Sequence, residues 1–87
     1  MKLLIEQYLK YLQVERNSSP HTITSYKNDL DSFLEFCSIQ MDTTKENIDV
    51  QHITRLTIRL WLGELSEQGL AKSSIARKVA ALRSFFK

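Results

Sequence analysis

The sequence predicts an all-α protein, a compact bundle of four helices over about 2–15, 20–38, 55–68 and 72–86. Three observations carry this. Apolar residues recur at helical spacing along most of the chain. Only two glycines and one proline interrupt it, too few for the many turns of a β architecture. Its 87 residues, 43% hydrophobic, make one domain with a single core.

The first helix rests on Leu4, Ile5, Tyr8, Leu9 and Leu12, which form one apolar stripe before "RNSSP" breaks the pattern. Ser19 is a good N-cap for the second helix, and Pro20 suits the first helical position, where its missing N–H leaves no bond unmade. Ile23, Tyr26, Leu30, Phe33, Leu34 and Cys37 then give this helix its stripe. Residues 39–53 hold no sustained period and read as a connection, pinned to the core by Ile48, Val50 and Ile53. Thr54 caps the third helix, with Ile53 and Ile58 placed as a hydrophobic staple, and Ile58, Trp61, Leu62 and Leu65 form its stripe. Gly69 is a left-handed stop, with Leu70 set to contact Leu65 in a Schellman ending. Ala71 is the poor cap of a fourth helix whose stripe is Ile75, Val79, Leu82 and Phe86.

The net charge is only +2, but it is unevenly spread. Residues 1–68 hold seven Lys and Arg against ten Asp and Glu, while residues 69–87 hold five against none. Such a block is a nucleic-acid footprint, a membrane footprint or a solvated helix face. Cys37 is the only cysteine, which excludes an internal disulfide and a cysteine-built metal site and fits a reducing compartment. No apolar run reaches the ~20 residues of a membrane span. "MKLLIEQYLKYL" is broken by Glu6, Gln7 and Lys10 and does not read as a signal peptide. A soluble, cytoplasmic domain without membrane partner is expected.

With the stripe of the fourth helix turned inward, Arg77 is expected to point outward, surrounded by Ser73, Ala80, Ala81 and Ser84 and flanked by Lys72, Lys78 and Arg83. Small residues allow close approach to a groove, and cations at the edges meet phosphates on either side. The second helix adds His21, Thr24, Ser25 and Asn28 opposite its stripe, with Lys27 at the flank. Its later acids, Asp29, Asp31 and Glu35, are expected to point away from a polyanion.

The runs "YLQVERNSSPHTITSYKNDLDSFLEF", "ITRLTIRLWLGEL" and "GLAKSSIARKVAALRSFFK" resemble, in order, the N-terminal core-binding domain of tyrosine recombinases of the phage integrase and Xer-like kind. The most specific parts are Ser19-Pro20-x-Thr22-x3-Tyr26 and the run from Ser74 and Ile75 through Arg77 and Lys78 to Leu82, Arg83, Ser84 and Phe85. The resemblance implies a SAM-like bundle forming half of a clamp around duplex DNA at a core recombination site. Its second and fourth helices would face the major groove, in DNA integration and recombination. Carried over by position, the DNA contacts are Thr22, Ser25, Lys27 and Asn28 on the second helix, with Lys72, Ser73, Ser74, Arg77, Lys78 and Arg83 on the fourth. Tyr26 matches the motif, but its place on the stripe gives it a packing role. Ala71 departs from the Ser or Thr usual at that point.

The resemblance also implies that residues 1–87 are one core-binding domain, the catalytic domain lying outside this chain. None of the family's catalytic residues can be placed on it, so this chain is expected to be no enzyme by itself. Its full-length parent would cleave and rejoin DNA, as a tetramer of protomers on DNA, whereas the isolated domain would be monomeric. No cofactor or metal is expected: His21 and His52 lie in different segments without a helical partner at ligand spacing. Asp29 and Asp31, two apart on a helix, do not face each other. An alternative is a helical protein–protein interaction module for protomer assembly. For it, Leu56, Leu60 and Phe36 lie off their main stripes; either they form a docking patch or the 39–53 connection covers the two leucines.

Overall fold

The structure is a computed structural model and describes residues 1–86. Lys87, the last cation of the basic block, lies outside the described residues. Four helices follow one another: α1 (Lys2–Val14), α2 (Pro20–Gln40), α3 (Arg55–Glu67) and α4 (Lys72–Phe85). Short 3-10 turns at Lys45–Asn47 and Val50–His52 punctuate the connection between α2 and α3. Among the described residues there is no strand, so the fold is the expected all-α bundle of four helices.

The helix ends follow from local chemistry. Ser19 accepts from the Thr22 N–H at 3.2 Å, and Pro20 opens α2. Thr54 and Thr57 form a reciprocal capping box. The Thr57 N–H donates to Thr54 Oγ1 at 3.2 Å and the Thr54 N–H to Thr57 Oγ1 at 3.4 Å. At the end of α3, Gly69 takes φ +82°, and the N–H groups of Leu70 and Gly69 donate to the carbonyls of Leu65 and Ser66 at 3.3 and 3.0 Å. That is the Schellman pattern, which consumes carbonyls that the helix end would otherwise leave unpaired. Asn17 and Asp42 take the left-handed turn after α1 and α2, with φ of 49° and 52°; both residue types tolerate it better than most. Ala71 caps α4 by position only and makes no side-chain bond.

The central element is α2, against which α1, α3, α4 and the first 3-10 turn all pack. Its buried residues Leu30, Phe33, Leu34, Phe36 and Cys37 meet Ile5 of α1, Ile48 of the connection, Trp61 and Leu65 of α3, and Leu82 of α4. Phe33 and Trp61 pack edge to face with centroids 5.0 Å apart, a geometry that adds about 1 kcal/mol to their area burial. Phe36 is therefore a core residue, correcting its expected place in an exposed patch. Leu56 and Leu60 are 64% and 49% exposed, so the connection does not cover them.

The fourth helix is rotated from the expectation. Ala81 is fully buried beside Leu82, and Ser74, Lys78 and Phe85 are half-buried, while Phe86 is exposed. At about 100° per residue the inward face is turned roughly 60° from the stripe of Ile75, Val79, Leu82 and Phe86. Alanine at position 81 lets α4 come close to its neighbours, and Lys78 buries its aliphatic stem.

Candidate nucleic-acid interface

The geometry around the basic helix is set by one acid. Asp29, two turns into α2, is 1% exposed. Arg77 donates from Nε to its Oδ2 at 3.1 Å and from Nη2 to Oδ1 at 3.0 Å, and Lys78 donates from Nζ to Oδ1 at 2.9 Å. The Arg77 side chain keeps half of its surface in solvent, whereas that of Lys78 keeps 12%. This corrects two expectations. Asp29 does not point away but inward, and Arg77 does not stand free on the outside but lies bidentate along the carboxylate. Ionic burial requires this arrangement, since a carboxylate removed from water must have its lone pairs answered.

The clasp also fixes how α2 and α4 lie. Thr22 and Arg83 border one cleft, and Asp29 meets Arg77 and Lys78. The start of α2 thus lies by the end of α4, and the two helices run antiparallel. Ser25, one turn before Asp29, and Ser73, one turn before Arg77, share the faces of those residues. Asn28 is exposed on the solvent side of the same seam. Thr22, Ser25, Asn28, Ser73 and Arg77 are therefore gathered along one edge. Ser74 and Lys78 turn toward the interior. Lys27 and Lys72 are exposed but stand about 160° from Ser25 and about 140° from Arg77 around their helices, away from that edge.

At the far end of the seam an open cleft of about 810 Å³ lies between α1, α2 and α4. Its lining includes Tyr11, Arg16, Ser18, Thr22, Tyr26, Arg83 and Phe85. The hydroxyls of Tyr8 and Ser84 are hydrogen-bonded to each other across it, and the Tyr8 ring meets Phe85 edge to face at 5.6 Å. Ser84 is thus half-buried, not a member of an outward face. Arg83 stands where this cleft meets a shallow groove bordered by Arg55, Ile58 and Val79.

Reading the sequence alone missed Asp29 and Arg16. For Asp29 a signal existed: it precedes Leu30 and lies three and four residues from Tyr26 and Phe33, on the buried side of α2. An acid there needs a cation, and the helix without acids is the obvious source. Arg16 sits in a connecting turn, where periodicity says nothing about direction.

Comparison with known proteins agrees with the fold. The family described as phage integrase, N-terminal SAM-like domain matches residues 5–87. The chain is 36% identical over 90 residues to the tyrosine recombinase XerC of Oceanobacillus iheyensis, covering 100% of this chain and 27% of that protein. It is 40% identical over 83 residues to the tyrosine recombinases XerC of Listeria innocua and Lacticaseibacillus casei, covering 95% of this chain and 26% of each. The chain thus spans about a quarter of the length of these relatives. No solved structure matches it significantly. With four helices in the expected order and a family match running from Ile5 onward, the chain belongs to the phage integrase N-terminal SAM-like domain family.

Proposed function

We propose that this chain is the DNA-binding module of a site-specific tyrosine recombinase, forming one half of a clamp on duplex DNA at the core recombination site. In this reading residues 1–87 are one core-binding domain, and cutting and rejoining belong to a catalytic domain elsewhere in the parent. DNA and further protomers of the recombinase are its partners. The observation that carries the reading is the antiparallel seam of α2 and α4, whose edge gathers Thr22, Ser25, Asn28, Ser73 and Arg77. Short hydroxyl and amide groups beside a guanidinium are the donors that meet phosphates and base edges. Asp29 holds Nε and Nη2 of Arg77, leaving the Nη1 edge of the fork for an outside acceptor.

The test is an amide NMR titration of the ¹⁵N-labelled chain with a duplex of about 20 base pairs, followed by added salt. Expected are shifts concentrated at residues 21–28 and 72–84 that reverse with salt. Asn28→Asp, an exposed change that adds one negative charge at the seam, should weaken binding roughly tenfold. Signals that stay fixed at low salt would overturn the reading.

A second reading rests on the exposure of Leu56 and Leu60 on α3, one turn apart and therefore on one face. Two uncovered leucines on the side of a helix suit a contact between protomers. This is compatible with DNA binding at the seam, because α3 contributes nothing to the seam's edge.

A further inference from the structure

We propose that the cleft between α1, α2 and α4 is a seat for a backbone phosphate of duplex DNA, with Arg16 as a contact supplied from outside the two seam helices. The proposal rests on the DNA-binding reading above and extends it to the turn that joins α1 to α2. Four observations carry it.

The lining holds two guanidinium groups, Arg16 and Arg83, and no carboxylate. Neither arginine has a carboxylate partner among the described residues, a state they share with Lys10, Lys27, Arg55, Arg59 and Lys72; what sets them apart is that both line one cleft. The remaining polar lining is hydroxyl: Ser18, Thr22 and Tyr26 among others. Hydroxyls can donate to phosphate oxygens without adding charge. The Tyr8–Ser84 hydrogen bond joins α1 to α4 in the same cleft, so Arg83 is carried on an element fixed to the helix that Arg16 directly follows.

Size and position select the ligand. A cleft of about 810 Å³ is far larger than one inorganic phosphate ion, and admits a phosphate together with the sugars on either side of it. It opens at Thr22, the first residue of the polar edge that continues through Ser25 and Asn28, so one strand of a duplex lying on the seam would run into it. The amino end of α2, with its partial positive charge, lies beside the same opening. An acidic peptide would satisfy two arginines as well, and Leu12 and Phe85 give the cleft some apolar wall; its continuity with the polar edge at Thr22 is what favours a duplex strand.

The experiment measures duplex affinity of the whole 87-residue chain at several salt concentrations, for the wild type, Arg16→Ala, Arg83→Ala, the double variant and Arg59→Ala. Arg59, exposed on α3, controls for loss of one charge elsewhere. Each cleft variant is expected to lower the slope of log affinity against log salt by about one, and the double variant to lose roughly tenfold or more in affinity at low salt. Arg59→Ala should leave the slope unchanged. Both cleft arginines are exposed, so thermal unfolding of the variants should match the wild type. Inorganic phosphate and an oligo-glutamate peptide are titrated in parallel, and neither should distinguish the double variant from the wild type. A slope for Arg16→Ala equal to that of the wild type would overturn the proposal. So would loss of peptide binding with duplex binding intact, which would make the cleft a peptide seat. Affinity that falls with Asn28→Asp but not with Arg16→Ala would remove this proposal alone. A wild type that binds no duplex would remove the DNA-binding reading with it.

Discussion

A buried carboxylate with two cationic partners is stable only as a set. Asp29 answers Arg77 and Lys78 together, and removing it would leave the mostly buried Lys78 ammonium with no counter-charge. Because Arg77 remains half in water, the loss should fall toward the low end of what broken buried pairs show. Asp29→Asn is expected to cost roughly 2–3 kcal/mol, read as a lower urea midpoint at unchanged m. The pairing is easily overlooked in the sequence for a physical reason: charge counted along the chain treats the basic stretch as free, while its neutralising acid lies 48 residues earlier than Arg77. Cys37, by contrast, was legible, because an apolar stripe at helical spacing places it in the core, where it is fully buried. Burial pushes its thiol up from 9.0 to about 11. The folded chain keeps that proton where the unfolded chain gives it up, so this contribution is constant below about pH 9 and is lost as pH rises toward 11. Cys37→Ala should remove that part of the alkaline decline, seen by comparing urea unfolding at about pH 8 and about pH 10.5 with the wild type.

The helices themselves were legible because their starts and stops are local signals. Ser19-Pro20, Thr54 with Thr57, and Gly69 each act within a few residues, so neighbours in sequence are enough to see them. The rotation of α4 was not legible, because it is decided by what α2 and α1 present to it. A stripe drawn through Val79 and Phe86 scores hydrophobicity alone, whereas the molecule gains more by seating Ala81 closely and by pairing Lys78 with Asp29. The same helix starts from a cap that makes no side-chain bond, at Ala71. Its φ and ψ of −64° and 149° are already those of a good N-cap, so Ala71→Ser needs no backbone change. A gain of about 1 kcal/mol in chemical denaturation is expected. Slower amide exchange over the first turn of α4 should accompany it.

As a whole the molecule is a slab, 33 × 30 × 18 Å, with α2 in contact with every other helix. Such a shape offers separate surfaces for separate partners. The seam and its cleft belong to α1, α2 and α4, while Leu56 and Leu60 belong to α3. Leu60→Asp is accordingly expected to leave duplex affinity within about twofold of the wild type, because the site is solvent-exposed and lies outside the seam. If α3 carries a protomer contact, self-association on DNA is lost in this variant while binding to a single site persists, which analytical ultracentrifugation with the duplex would show. The Asp29 clasp has a consequence for the molecule's inheritance. Positions 29, 77 and 78 form one unit although half the chain separates them, so they can drift only in concert. A chimera that joined the first half of this chain to the second half of a relative without those two cations would seal an unanswered carboxylate inside its own core. Exchange of halves between such proteins is therefore filtered at this one triad before any question of target sequence arises.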